Sequence, residues 1–155
     1  MDFMYAITLK GSNGTIEFKP DVDNGNNAIT GVQFGFNSLN DSQDRDKNGR
    51  IEMVIYGKFD GRRETLTAIK SLAEWAKAKK DVYREITIVA TTSDNDSQGD
   101  GNFSRTYHFD QMFCIDYFER TGKIGDKEVG LEFELYVAQA PTYKISETLS
   151  EIVND

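Results

Sequence analysis

Residues 103–118 read FSRTYHFDQMFCIDYF, and large apolar side chains recur at the odd positions of this stretch. In an extended chain, alternate side chains lie on one face, which here would carry Tyr107, Phe109, Phe113, Ile115 and Tyr117. A strand this long and aromatic needs a large apolar partner surface, so the pattern predicts a central strand. The even positions are mixed in polarity, and buried polar groups need partners. We expect that second face to be exposed to water, to line a pore or to contact another subunit.

The composition of the whole chain predicts one globular domain. The chain has 155 residues, of which 38% are hydrophobic and 28% charged, which is typical of a folded domain rather than a disordered segment. The formal net charge of -8 disfavours binding to nucleic acid or to an anionic membrane surface. The single cysteine, Cys114, cannot form an internal disulfide.

The N-terminal residues lack the basic start and apolar run of a signal peptide, and no stretch approaches the ~20 apolar residues of a membrane span. We therefore expect a protein that is made in the cytoplasm without a signal peptide.

Several other segments alternate with the period of a strand. They comprise residues 4–9, 15–19, 29–37, 50–58, 84–92 and 129–137. Gly11 to Gly14 supply a turn between the first two, which predicts an opening hairpin. Gly31 and Gly35 stand at alternate positions of the third, which indicates strong bending and hence a curved sheet or barrel.

One segment changes to a helical period. Its apolar positions are Leu66, Ile69, Leu72, Ala73 and Ala76. Thr65 is the candidate N-cap, and Trp75 lies at the edge of the apolar stripe. We expect one helix of about four turns that packs on, or plugs one end of, an otherwise β structure.

Two further segments are predicted to lie outside this framework. Residues 38–50 are polar and should form an exposed loop, and within it Asp44, Asp46 and Asn48 are spaced like the first half of a calcium loop. The twelfth position is Ile55 instead of glutamate, so a solvated turn is the alternative to a calcium site. Residues 140–155 form a C-terminal tail with a sparse apolar pattern, either a small helix or a segment that folds on a neighbour.

The sequence indicates no catalytic centre. His108 and Cys114 would lie roughly 20 Å apart along an extended strand, too far for a base and a nucleophile. We interpret Cys114 as a small buried thiol and His108 with Asp110 as a hydrogen-bonded pair. No convergent acid, base and nucleophile appear, so we expect neither an enzyme nor a cofactor.

The order of these elements resembles that of the Hcp family, the tube proteins of type VI secretion and of related phage-tail-like contractile injection systems. The similarity covers roughly residues 50–138: a strand, a helix with Leu72 and Trp75, a strand, an acidic turn and the aromatic strand. Its most specific part is residues 109–119, which end in Tyr117, Phe118 and Glu119. Members of the family carry an aromatic strand that ends in the same tyrosine, any residue, glutamate pattern.

The resemblance implies a mainly β fold, a small β-barrel of two curved antiparallel sheets with one flanking α-helix. It also implies a non-enzymatic subunit of a hexameric ring, with rings stacked into a hollow tube that may carry effector cargo. The implied partners are other copies of the chain and the sheath, spike and baseplate proteins of the same system, and the implied destination is outside the cell. Candidates for the lumen face are Asp110, Asp116, Glu132 and Glu134.

Two other classes of protein stay open at this point. A monomeric β-sandwich or barrel could be a binding module, with calcium bound near Asp44, and an enzyme is the third class. A secretion tube and a phage or tailocin tube are not separated by the sequence.

Overall fold

The computed structural model describes residues 3–36, 51–93, 102–140 and 150–154, and a long bent strand lies at its centre. This strand, β6, is Asn102–Ile124. Its first half pairs with β5 (Arg84–Ser93), and its second half pairs with β7 (Lys127–Gln139). The prediction of a central strand at residues 103–118 is confirmed, because β6 lies between β5 and β7 in the sheet.

Five further strands complete the β structure, and all pairings are antiparallel. They are β1 (Phe3–Gly11), β2 (Gly14–Phe18), β3 (Ile29–Phe36), β4 (Ile51–Lys58) and β8 (Ser150–Asn154). The strand order is β2, β1, β5, β6, β7, β4, β3, and β8 pairs with the first half of β6. The predicted hairpin of β1 and β2 is confirmed.

The two ends of β6 pair with different strands, so the eight strands form two curved halves that enclose one core. One half contains β2, β1, β5, the start of β6 and β8, and the other contains the end of β6, β7, β4 and β3. Aromatic rings from the two halves meet inside: Phe18 and Phe133 have ring centroids 5.6 Å apart, and Phe34 and Tyr107 4.9 Å apart. The fold class, a small β-barrel of two curved antiparallel sheets with one flanking helix, is confirmed.

Two irregularities in β6 change which of its side chains face the core. Gln111 has a left-handed backbone with φ of 54°, and the pairing with β7 shifts register between Cys114 and Asp116. Such interruptions of the pleat turn the following side chains to the other face. Met112 is therefore fully buried, and Cys114 packs against the core, whereas Ile115 is 46% exposed.

The predicted inner face of β6 is consequently wrong at two of its five positions. Phe113 packs edge-on against the exposed ring of Tyr83, with centroids 6.1 Å apart, and Ile115 faces outward. The other three predicted residues pack in or against the core, namely Tyr107, Phe109 and Tyr117. Alternation therefore holds only between the irregularities: Tyr107 and Phe109 face the core before Gln111, Met112 and Cys114 after it, and Tyr117 beyond the register shift.

The flanking helix, α1, is Arg63–Lys77, and it begins earlier than the sequence predicts. Its N-cap residue is Arg62, whose backbone N–H donates to the Asp60 carboxylate at 3.1 Å. The predicted N-cap Thr65 is instead a buried residue inside the first turn. Arg62 makes no side-chain capping hydrogen bond, and the Thr65 side chain donates to the Asp60 carboxylate instead of capping the helix.

The buried face of α1 is also rotated from the predicted stripe. Its buried residues are Thr65, Ala68, Ile69, Leu72 and Trp75, whereas Leu66 is 47% exposed. Trp75 is fixed by a hydrogen bond from its Nε1 to the carbonyl of Val82 at 3.0 Å. In the described ranges, no helix has the length and apolar character needed to span a membrane.

The predicted C-terminal tail is partly a strand of the barrel. Ser150–Asn154 pairs antiparallel with residues 105–109 of β6, so this part is neither a helix nor a segment folded on a neighbour. Residues 141–149 lie outside the described part. The predicted loop at residues 38–50 lies there as well.

Candidate assembly surface

The second half of β6 has one backbone edge without a strand partner in the described part of the chain. β5 pairs with residues 102–112 of β6 on one edge, and β7 pairs with residues 112–124 on the other. The β5 side of residues 113–124 is therefore open. Three large apolar side chains are exposed on this stretch: Ile115 at 46%, Phe118 at 52% and Ile124 at 51%. We call residues 113–124 the open edge.

The outer face next to the open edge carries an ion cluster. Arg120 on β6 donates from Nε to Glu132 at 3.1 Å and from Nη2 to Glu134 at 3.1 Å, and both glutamates lie on β7. These hydrogen bonds raise the pKa of Arg120. The hydroxyl of Tyr136 also donates to Glu134, at 3.2 Å. One cation therefore offsets part of the charge of two candidate lumen residues.

The four candidate lumen residues are not all brought together. Asp116 pairs across β6 and β7 with Tyr136, so it belongs to the same strand pair as Glu132 and Glu134. Asp110 lies before the bend of β6, where the strand pairs with β5. Three of the four therefore lie on the paired parts of β6 and β7, and the fourth, Asp110, belongs to a different cluster of side chains.

That cluster joins Asp110 to His108 and Glu85. His108 Nε2 lies 3.2 Å from Glu85 Oε1 and 3.6 Å from Asp110 Oδ1, and its Nδ1 lies 2.9 Å from Thr87 Oγ1. The sequence predicted a contact of His108 with Asp110 alone, and Glu85 was not predicted. The signal that could have found it is the register of β5 on β6, in which Thr87 stands opposite His108.

The Tyr117 and Glu119 pattern is one hydrogen-bonded unit. The Tyr117 hydroxyl donates to Glu119 Oε1 at 2.6 Å, while its ring lies 6.3 Å from the ring of Phe133 in the core. Burial, together with the hydrogen bond and charge of Glu119, raises the pKa of Tyr117 well above its usual value.

A groove separates the open edge from the C-terminal half of α1. Ala73, Ala76 and Lys77 line its helix side, and residues 114–117 with Glu119 line its strand side. Burial, with a smaller contribution from the charge of Asp116, raises the pKa of the Cys114 thiol to about 11. Because the thiolate is the nucleophilic form, this environment disfavours a reactive cysteine.

The candidate calcium ligands Asp44, Asp46 and Asn48 fall in residues 37–50, outside the part of the chain that the structure describes. Calcium binding at these residues stays a prediction.

Comparison with known proteins gives matches only among solved structures. One is the structure of Hcp1 from Flavobacterium johnsoniae, 13% identical, with a TM-score of 0.45 over 88% of this chain and 89% of that chain. Another is a chain in the cryo-EM structure of the anti-feeding prophage baseplate, 6-fold symmetrised, 9% identical, with a TM-score of 0.45 over 99% of this chain and 94% of that chain. No protein-family model and no curated protein matches the sequence. At this identity and TM-score, neither structure assigns a function to this chain.

Proposed function

We propose that this protein is a structural subunit that assembles with copies of itself into the ring and hollow tube of a contractile injection system. The observation that carries the proposal is the open edge with its exposed Ile115, Phe118 and Ile124. The resemblance of residues 50–138 to the Hcp family supports the same function.

An open strand edge is a surface for pairing with another chain. Its N–H and C=O groups point outward, and monomeric proteins commonly shorten, cover or charge such edges. Here twelve residues, 113–124, continue past the last pairing with β5, and half-exposed apolar side chains stand on them. A strand of a second copy would satisfy the backbone groups and bury Phe118.

The proposed contact can build a closed ring if the open edge meets a different surface of the next copy. Pairing of the open edge with the same edge of a second copy would give a two-fold dimer instead. Contacts between different surfaces repeat from subunit to subunit and close into a ring when the rotation allows it. The number six comes from the family resemblance.

The lumen face in this proposal is the outer face of β6 and β7. Asp116, Glu132 and Glu134 would line it, with Arg120 between the two glutamates. The same face carries the rings of Phe118 and Tyr136, with centroids 5.8 Å apart, so the wall is moderately acidic and exposes an apolar ring until a second copy covers Phe118. Asp110 contributes to the same wall only if the first half of β6 also faces the lumen.

The remaining parts of the proposal follow from the resemblance. Sheath, spike and baseplate proteins are the expected partners, effectors are the expected cargo, and the apparatus would release the subunit outside the cell. Residues 37–50 are the candidate contact between stacked rings. Deletion of this segment should leave rings intact and abolish tubes, and unchanged tube formation would contradict that role.

The test is the mass in solution by light scattering after size exclusion, with negative-stain images of the same peak. We expect rings or rods for the wild type and a monomer with an unchanged unfolding transition for Phe118→Lys. The matched control is Leu66→Lys on α1, since Leu66 is 47% and Phe118 52% exposed. A Phe118→Lys protein that assembles like the wild type would overturn the role of the open edge. A wild type that stays monomeric at all concentrations would favour the binding module.

A further inference from the structure

We infer that Glu85, His108 and Asp110 form a binding site for one divalent transition-metal ion, for which zinc is the best match. The site goes beyond the proposed function and does not depend on it. Within the described residues, these three side chains offer one nitrogen and two carboxylate oxygens that lie within 4.8 Å of one another. Imidazole nitrogen and carboxylate oxygen are both ordinary zinc ligands.

The fold brings the three ligands together at the bend of β6. His108 and Asp110 are alternate residues of β6, so they lie on the same face of the strand, and Phe109 between them points into the core. The pairing of β5 with β6 shifts register between Arg84 and Ile86, which places Glu85 in the irregular part of the ladder. Such bulges redirect a side chain, and here the carboxylate of Glu85 reaches His108.

The distances between ligand atoms agree with a tetrahedral zinc site. Zinc binds nitrogen and oxygen at about 2.0–2.1 Å, and two ligands of a tetrahedron at that distance are separated by about 3.3 Å. His108 Nε2 lies 3.2 Å from Glu85 Oε1 and 3.6 Å from Asp110 Oδ1. The carboxylate oxygens of Glu85 and Asp110 lie within 4.8 Å of each other, so rotation of these two side chains would have to bring them closer.

The other nitrogen of the ring has the partner that a metal-binding histidine needs. Nδ1 of His108 lies 2.9 Å from Thr87 Oγ1. With metal bound, Nδ1–H would donate to the threonine oxygen and Nε2 would keep its lone pair for the metal. Without metal, the hydroxyl can donate to Nδ1 while Nε2–H donates to a carboxylate, because a threonine hydroxyl both donates and accepts. Thr87 thus supports both states.

The site is open enough for an ion to enter and to keep a free coordination position. The side chains of His108, Glu85 and Asp110 are 26%, 42% and 31% exposed. Three protein ligands leave the fourth position of a tetrahedron for water or for a group from another molecule. Two carboxylates also balance the charge of a divalent cation.

The test uses the full-length protein without a histidine tag, so that His108 is the single histidine present. Zinc chloride is titrated by calorimetry, and the two carbon-bound ring protons of His108 are followed by NMR. Cobalt chloride is added in a second titration, since its visible absorption reports tetrahedral coordination. We expect one zinc per chain, displaced ring signals and reversal by EDTA.

Four variants locate the site. His108→Gln and Glu85→Gln should abolish the saturable binding, and Thr87→Val should weaken it by roughly 10–100-fold because the ring loses its second partner. Glu74→Gln on the exposed face of α1 is the matched control and should bind like the wild type. Tryptophan fluorescence during urea unfolding confirms that each variant is folded.

Two results would overturn the inference. If the wild type shows no saturable zinc binding, the cluster is a hydrogen-bonded and ionic contact only. If His108→Gln and Glu85→Gln bind zinc as the wild type does, the ion is held at other carboxylates of this acidic chain.

Discussion

Replacement of Gly57 by alanine tests how tightly the ring of Phe133 packs against β4. A Cβ at this position of β4 would overlap Cζ and Cε1 of Phe133 and would lie 3.0 Å from the carbonyl oxygen of Ala28. Phe133 is only 1% exposed, and its ring lies between those of Phe18 and Tyr117. The ring therefore has no free direction in which to move.

The expected magnitude follows from overpacking. An extra methyl group in a packed core lowers the free energy of unfolding by about 1–3 kcal/mol. Gly35→Ala on β3 is the matched control, since no atom of the described residues lies within 4 Å of its Cβ position and its φ is not positive. That variant should stabilise the fold by about 0.4–1 kcal/mol, because it restricts the unfolded chain. The two variants should thus differ by about 2 kcal/mol or more.

The assay is urea unfolding at a fixed protein concentration, followed through the fluorescence of Trp75, the single tryptophan of the chain. Phe133→Leu removes the ring atoms that the new methyl group meets. The double variant with Gly57→Ala should therefore be less destabilised than the sum of the single variants, by about 0.5–3 kcal/mol. If Gly57→Ala is as stable as Gly35→Ala, the packing of Phe133 against β4 is not as the structure shows.

Two further predictions concern single ionisable groups. Burial favours a higher pKa for Asp60, but hydrogen bonds from Arg62 and Thr65 outweigh it and hold the pKa below its usual value. The Asp60 carboxylate therefore stabilises the fold fully above about pH 4, and this stabilisation is lost as the pH falls further. Asp60→Asn should lower the free energy of unfolding at pH 7, measured by urea unfolding, by about 1–3 kcal/mol, and this free energy should fall less steeply in acid. Glu17→Gln, which removes the exposed ion pair with Lys19, is the control and should change neither the free energy of unfolding nor its pH dependence. The pKa of about 11 for Cys114 leaves about 100-fold less thiolate at pH 8 than an ordinary cysteine has. Labelling of Cys114 by iodoacetamide, followed by mass spectrometry, should therefore be slower by about the same factor until urea unfolds the protein. Labelling of the folded protein at the rate of a free cysteine would contradict this environment.

The local sequence pattern was sufficient to predict which residues are buried wherever a strand or helix is regular. In β7, Phe133, Leu135 and Val137 are fully buried as their alternation predicts, because every second residue of an uninterrupted strand faces the same side. The helical period likewise located α1. Its buried face includes Ala68 and Trp75, whereas the predicted face included Leu66 and Ala76. The strands that α1 packs against, and not its own apolar residues alone, decide which side is buried.

The candidate sites could be predicted only in part. His108 with Asp110 was identified from their spacing along the strand, and Tyr117 with Glu119 from the resemblance to the Hcp family. Glu85 is 23 positions before His108 in the chain, and it reaches that residue only because β5 pairs with β6 in one register. Arg120 was missed for the same reason, since its partners are on the neighbouring strand β7.

The sequence by itself determined the β class, the approximate positions of β1 to β7 and the flanking helix, because hydrophobic periodicity is a local property of the chain. The strand β8 was not predicted. Tertiary structure decided where β6 bends, which of its residues face the core, and which edge is left open. The left-handed Gln111 and the register shift after Cys114 exist because one strand must pair with β5 and then with β7. That requirement arises from contacts between distant segments, and no short stretch of the sequence contains it.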